Sequence, residues 1–274
     1  MMNIDTFIQR FGAGLAELDG MPPTAARRRY ETLCNDFAPP DPRGMRVTDT
    51  RLGGVAVRRF QPPAASPGRA VFVHGGGWNL GSVVSHHGIA ASLAEQLARE
   101  VVSVDYRLAP EADYREALAD CQHVVDAVDP LTLVGDSAGA RLAMDVALSR
   151  PWQGLLGLVY PPVGRPSAAT LGPDAPLLSR DDVLTSWRQV ADTMPESDVD
   201  LPPAASIEVL AVEYDPLTAP LEAAVAAWRQ AGADVGYHCA EGMVHGALHA
   251  QSSLAAMGET WRDFCQALNR RLGD

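Results

Sequence analysis

Leu131-Thr132-Leu133-Val134-Gly135-Asp136-Ser137-Ala138-Gly139-Ala140 places a short apolar, partly β-branched run directly before a serine that has a glycine two residues away on each side. The spacing is G-x-S-x-G. A serine that must stand proud of a strand end needs a tight, strained turn into a helix. Side chains at the two flanking positions would collide with the neighbouring strand and helix. Arg141 to Leu148 are helix formers with apolar side chains at helical spacing, which supplies the strand-turn-helix context the pattern requires. A helix beginning at Ala138 also aims free N–H groups and its positive dipole end at whatever the serine attacks. Any strand-to-helix turn can carry Gly and Ser, so these five residues need support from elsewhere in the chain.

That support begins at Ala70-Val71-Phe72-Val73, a second buried strand followed at once by His74-Gly75-Gly76-Gly77-Trp78. A glycine run there lets the backbone turn its N–H groups toward a developing oxyanion. Three further stretches follow in order: Val104-Asp105-Tyr106-Arg107-Leu108-Ala109-Pro110-Glu111, Glu213-Tyr214-Asp215-Pro216-Leu217 and Gly242-Met243-Val244-His245-Gly246. Together the five motifs resemble the hormone-sensitive lipase branch of the α/β-hydrolases, from about residue 45 onward. The resemblance implies a serine carboxylesterase whose oxyanion donors are the backbone N–H groups of Gly76, Gly77 and Ala138. It also implies a helical cap over the site. No metal or organic cofactor is expected, because the acyl group passes through an ester on Ser137. The chain departs from the family at Ala140, where glycine is frequent, and at Ala247, where an aromatic is frequent.

At 274 residues the chain has the length of one α/β domain with a small accessory element. A hydrophobic fraction of 47% beside 20% charged residues is ordinary for a globular protein. The formal charge of -12 argues against nucleic acid or an anionic membrane surface as a partner, since no basic stripe is available to collect phosphates. Arg27-Arg28-Arg29 is the densest basic cluster and is expected to be a solvated helix face. Cys34, Cys121, Cys239 and Cys265 lie far apart with no C-x-x-C pair, and are expected to be buried thiols. The first residues lack a signal-peptide pattern and no segment approaches a spanning apolar run, so a cytoplasmic location and no membrane partner are expected. The residues do not decide between a monomer and a homodimer.

Ile4, Phe7, Ile8, Phe11, Leu15 and Leu18 recur at helical spacing, and a second helix is expected from Thr24 to about Asn35. Residues 1–44 are the expected N-terminal part of the cap, and residues 45–274 the α/β-hydrolase domain. Arg46 to Leu52 and Val55 to Gln61 alternate as strands around Gly53-Gly54, a hairpin signal. Thereafter helices (85–100, 111–128, 219–231 and a closing one) alternate with apolar strands. This is the mark of a mostly parallel sheet with helices on both faces. The proline-rich stretch 161–203 carries one expected helix, Arg180 to Met194, and is the expected second cap segment. Val235 to Cys239 is the last expected strand, followed by a loop from Glu241 to His245.

A serine hydroxyl needs an imidazole to take its proton and a carboxylate to fix that imidazole's tautomer. Of seven histidines, His86, His87, His123 and His249 fall in expected helices and His238 in a strand, positions that favour surface or structural roles. His74 is expected to order the glycine loop. His245, on a loop after the last strand, remains as the base. His245 and His249 lack the acidic partner of an H-E-x-x-H zinc site, so zinc is not expected. Either Glu213 or Asp215 could orient the imidazole; Asp215 is preferred because it lies past the strand end in the family's Asp-Pro-Leu match. Trp78, Trp187 and Val244 are the candidate substrate contacts. The expected activity is hydrolysis of short-chain acyl esters of small molecules. An amidase or arylformamidase is the alternative on the same triad, and a non-catalytic ligand-binding homologue the alternative from another class. The rate is expected to fall below roughly pH 6 to 7, where an imidazole protonates.

Overall fold

The apolar strands of the chain alternate their side chains between two separate cores, and this alternation fixes the architecture. In the computed structural model, which describes residues 2–196 and 198–273, β3 (Arg69–Val73) sends Val71 and Val73 into one core and Ala70 and Phe72 into the other. A two-residue side-chain period on a strand buried on both faces requires a layer of helices on each side. Those layers are present. One core is covered by α4 (Tyr114–Val128), α5 (Ala138–Leu148) and α7 (Thr218–Gln230). The other is covered by α1 (Ile4–Ala16), α2 (Pro23–Asn35), α3 (His87–Leu97) and α8 (Ala255–Leu272).

Among the described residues eight strands form one sheet. They are β1 (Arg46–Leu52), β2 (Val55–Gln61), β3, β4 (Glu100–Val104), β5 (Thr132–Asp136), β6 (Leu155–Val159), β7 (Ser206–Tyr214) and β8 (Asp234–Val244), in the order β1-β2-β4-β3-β5-β6-β7-β8. β1 and β2 form the expected hairpin, pairing Arg46 with Gln61 through Leu52 with Val55 across Gly53 and Gly54. Both glycines have positive φ, the conformation a two-residue hairpin turn demands. β2 also runs antiparallel to β4, and every later pairing is parallel. Parallel strands share one direction, so the turns after β3, β5, β7 and β8 open at one edge of the sheet.

Several expected boundaries move. The helix over 85–100 stops at Leu97, where Ala98 turns left-handed (φ 47°), and Glu100 starts β4. The helix over 180–194 is α6 (Arg180–Arg188), capped by Ser179, whose side chain accepts from the Asp182 N–H. It breaks at Val190, which leaves helical dihedrals (φ -126°) as its side chain is buried, and a 3-10 turn (Ala191–Thr193) follows. The loop expected from Glu241 is instead strand as far as Val244, because β7 itself continues to Tyr214 and offers it a partner.

Candidate active site

Four turns at the carboxyl edge of the sheet carry the expected residues: His74 to Trp78 after β3, Ser137 after β5, Asp215 after β7 and His245 after β8. This edge is where open α/β sheets gather ligand-binding groups. Ser137 sits at φ 50° and ψ -121°, a strained conformation for a residue with a side chain. Its backbone N–H donates to the Val159 carbonyl at 2.8 Å, which ties the turn to β6. The flanking glycines follow from contact. A β-carbon on Gly135 would stand 2.6 Å from the Gly139 backbone, and one on Gly139 would overlap the carbonyl oxygens of Val73 and His74.

The three candidate triad residues meet. Ser137 Oγ lies 2.9 Å from His245 Nε2, and His245 Nδ1 lies 2.6 Å from Asp215 Oδ2. The other Asp215 oxygen accepts the Leu217 N–H at 2.8 Å, so the buried carboxylate is held at both ends. With Nδ1–H donating to Asp215, Nε2 is left as an acceptor facing the serine hydroxyl. Glu213 lies elsewhere: it is exposed and accepts the Gly242 N–H at 2.7 Å.

The glycine loop is anchored from below. Asp136 accepts the Gly75 N–H at 3.0 Å, His74 Nδ1–H donates to the Gly75 carbonyl at 2.8 Å, and the Tyr106 hydroxyl donates to the His74 carbonyl at 2.7 Å. Tyr106 alone of the Asp105-Tyr106-Arg107 stretch reaches this network; Arg107 turns to Asp120 and Glu116 on α4. Burial drives His74 down to about 3, helped by neighbouring His86, so its ring is neutral. His249 is likewise pushed down to about 3 by burial. Asp136, which burial alone would raise, is held below the usual carboxylate range, chiefly by His86 beside it.

A cavity of about 200 Å³ opens over Ser137 and His245, and Gly76, Gly77, Ala138, Trp78 and Trp187 line it. Val244 does not. It is buried in the core at the end of β8, because its pairing with Tyr214 keeps it in the sheet and leaves His245 as the first residue to emerge. His86 and His249, expected in surface or structural roles, are buried, which leaves the structural one. His86 stands immediately before α3, and His249 sits in a short 3-10 turn (Ala247–Ala250) ahead of α8. Phe11, Leu15 and Tyr30 from the N-terminal helices and Tyr160 after β6 also line the cavity. Tyr160 follows its strand as Ser137 follows β5, a positional signal that could have found it.

Residues 70–249 match the α/β-hydrolase fold family. The chain belongs to the α/β-hydrolase family. Carboxylesterase NlhH of Mycobacterium tuberculosis is 28% identical to this α/β-hydrolase over an alignment covering 99% of this chain and 94% of that one. Six other curated relatives match over about half of their length or less. The versiconal hemiacetal acetate esterase stcI of Emericella nidulans is 36% identical over 127 residues, 44% of each chain. A solved hormone-sensitive lipase from a metagenome library superposes with a TM-score of 0.86 at 23% identity, covering 99% of both chains, a likeness of fold. Among the described residues of this α/β-hydrolase, no group of three His, Cys, Asp or Glu is placed to hold a metal ion. No helix there is long and apolar enough to cross a membrane.

Proposed function

We propose that this α/β-hydrolase cleaves short-chain acyl esters of small molecules through an acyl-enzyme on Ser137. The observation that carries the reading is the continuous chain of contacts from Asp215 through His245 to Ser137, 2.6 and 2.9 Å long. His245 Nε2 takes the Ser137 proton as Oγ attacks the ester carbonyl. The N–H groups of Gly76, Gly77 and Ala138 receive the oxyanion. The imidazolium then returns its proton to the departing alcohol, and a water activated by the same nitrogen releases the acid. Asp215 keeps the imidazole in the tautomer that can accept.

The short-chain preference is supported by the cavity, whose roughly 200 Å³ falls below the approximately 300 Å³ at which sites for drug-sized ligands begin. Residues 1–44 and 161–203 act as the cap in this reading, since Phe11 and Tyr30 from the first and Leu177 and Trp187 from the second form its walls. Burst kinetics with p-nitrophenyl acetate and butyrate test the proposal. A burst of p-nitrophenol is expected from the wild type and none from Ser137→Ala. Wild-type turnover in that variant would refute the assignment of Ser137.

A further inference from the structure

Behind the cavity wall lies a buried cation that the chemistry of ester cleavage does not use. Arg141, on the first turn of α5 and 1% exposed, donates from Nε to Asp145 Oδ2 at 3.0 Å and from Nη1 to the Gly164 carbonyl at 3.2 Å. The Tyr114 hydroxyl donates to the same Asp145 oxygen at 2.6 Å. Burial opposes the charge on Arg141, yet Tyr114 and Asp145 beside it raise its pKa, so the guanidinium stays charged. Its central carbon stands 5.4 Å from the centre of the Trp187 ring. Trp187 in turn meets Trp78 edge-to-face at 5.9 Å, and Trp78 meets Tyr114 in the same way at 6.0 Å. With Asp145 joining Tyr114 to Arg141, these side chains form a closed ring in which the two tryptophans line the cavity and the polar members stand behind them.

We propose that Arg141 is a specificity-positioning residue that sets how long an acyl group the site accepts, by holding the Trp187 ring in the cavity wall. This rests on the reading of the cavity as the substrate pocket. A desolvated guanidinium over an indole face is a strong orienting contact. The same group also grips Gly164, near the start of the segment that carries Trp187, so ring and segment are fixed from one point. Its neighbours matter to the energetics: without Asp145 and Tyr114 the charge would be uncompensated in the core. The Arg141 side chain bonds Asp145 and Gly164, and its tie to Ser137 is the helical backbone bond from its N–H to the Ser137 carbonyl at 3.2 Å.

The experiment compares kcat/KM for p-nitrophenyl hexanoate with that for the acetate in the wild type, Arg141→Lys, Trp187→Leu, the double variant and Tyr114→Phe. Lysine keeps the charge but loses the planar face, so the Trp187 ring can tilt away and the cavity deepens. The hexanoate-to-acetate ratio is expected to rise about fivefold in Arg141→Lys, the scale of one desolvated cation–π contact. A comparable rise is expected in Trp187→Leu. In the double variant no further rise is expected over Trp187→Leu alone, because the lysine no longer has a ring to misplace. Tyr114→Phe keeps the ring against Trp78 and folds with the least disturbance. A smaller shift of the ratio in the same direction is expected from it. Equal losses on both substrates with an unchanged ratio, or a full additional rise in the double variant, would overturn the proposal. Ser137→Ala separates the two readings. If it loses turnover on both esters while the ratios stay fixed, only the role of Arg141 fails; if it keeps turnover, the reading of the site fails.

Discussion

Gly139 lies against the carbonyl oxygen of Val73 with no room for a β-carbon between them. The contact joins the first turn of the nucleophile helix to the end of β3, from which the glycine loop springs. Both sides of the contact are backbone, so neither can yield by a rotamer change. Gly139→Ala is therefore expected to cost about 3 kcal/mol, the upper part of the overpacking range, and to lower Tm by roughly 6 to 12 °C. It is also expected to lower kcat by about 100-fold, since displacing β3 moves Gly76 and Gly77 relative to Ser137. Thermal unfolding and steady-state kinetics on p-nitrophenyl butyrate check both; an unchanged melting temperature would show that the contact is slack.

Asp215→Asn tests the tautomer. One Asp215 oxygen accepts the Leu217 N–H and the other accepts from His245 Nδ1. In asparagine the single oxygen stays on Leu217, because an amide group turned that way would set N–H against N–H. The NH2 then faces Nδ1, which must become the acceptor and pass its proton to Nε2. A protonated Nε2 cannot take the serine proton. A fall in kcat on the order of 10⁴-fold with little change in KM is expected, as for the same substitution in a serine protease triad. Retention of a tenth of the activity would point to a different orienting group.

The parts of the fold and site that were legible in the sequence are those decided locally. Gly53-Gly54 between two alternating runs dictates a hairpin, and apolar runs ending in Gly-rich turns dictate buried parallel strands. The G-x-S-x-G spacing is legible because steric overlap at Gly135 and Gly139 leaves little alternative. What was not legible depends on partners distant in sequence. The sequence leaves His249 open between a surface and a structural role; the fold decides it by setting the ring edge-on to His86 at 4.7 Å and bringing Tyr30 from α2 within 3.4 Å. Val244 looked free to face substrate because nothing local shows that β7 runs far enough to pair with it. Arg27 belonged to an apparently solvated cluster, yet it turns inward.

Arg27 donates from Nε to the Asn79 carbonyl at 2.9 Å and from Nη2 to the Ala109 carbonyl at 2.8 Å, with Glu111 closing the set. Glu111 is more than half exposed, so the ion pair itself contributes little. The two carbonyls are the substantial partners, because they tie α2 to the segment that follows the glycine loop and to the one that follows β4. Arg27→Met keeps most of the apolar stem and removes the donors. A loss of about 2 kcal/mol is expected, with Tm falling by roughly 4 to 8 °C. Tyr30, one turn along α2, lines the cavity, so KM is expected to rise more than kcat falls. A variant with wild-type KM and a lowered Tm would limit Arg27 to a stabilising role.

The buried histidines set the acid limit of stability. His74 and His249 are neutral in the folded protein down to about pH 3, whereas in the unfolded chain each protonates near its ordinary value of about 6.5. Between those values the unfolded state binds more protons, so stability falls as pH falls, by up to about 1.4 kcal/mol per pH unit for each histidine. Above pH 6.5 neither contributes a slope. Asp136 acts in the same direction at lower pH: its depressed carboxyl favours the folded state above the unfolded value of about 3.9 and loses that advantage as pH drops further. Urea midpoints measured from pH 8 to 4 are therefore expected to be level down to about pH 7 and then to decline steeply. In His249→Gln the decline should be shallower by one proton's worth, since glutamine can fill the same space without titrating. A midpoint that stays level to pH 5 would mean that these rings are hydrated and free to charge within the folded protein.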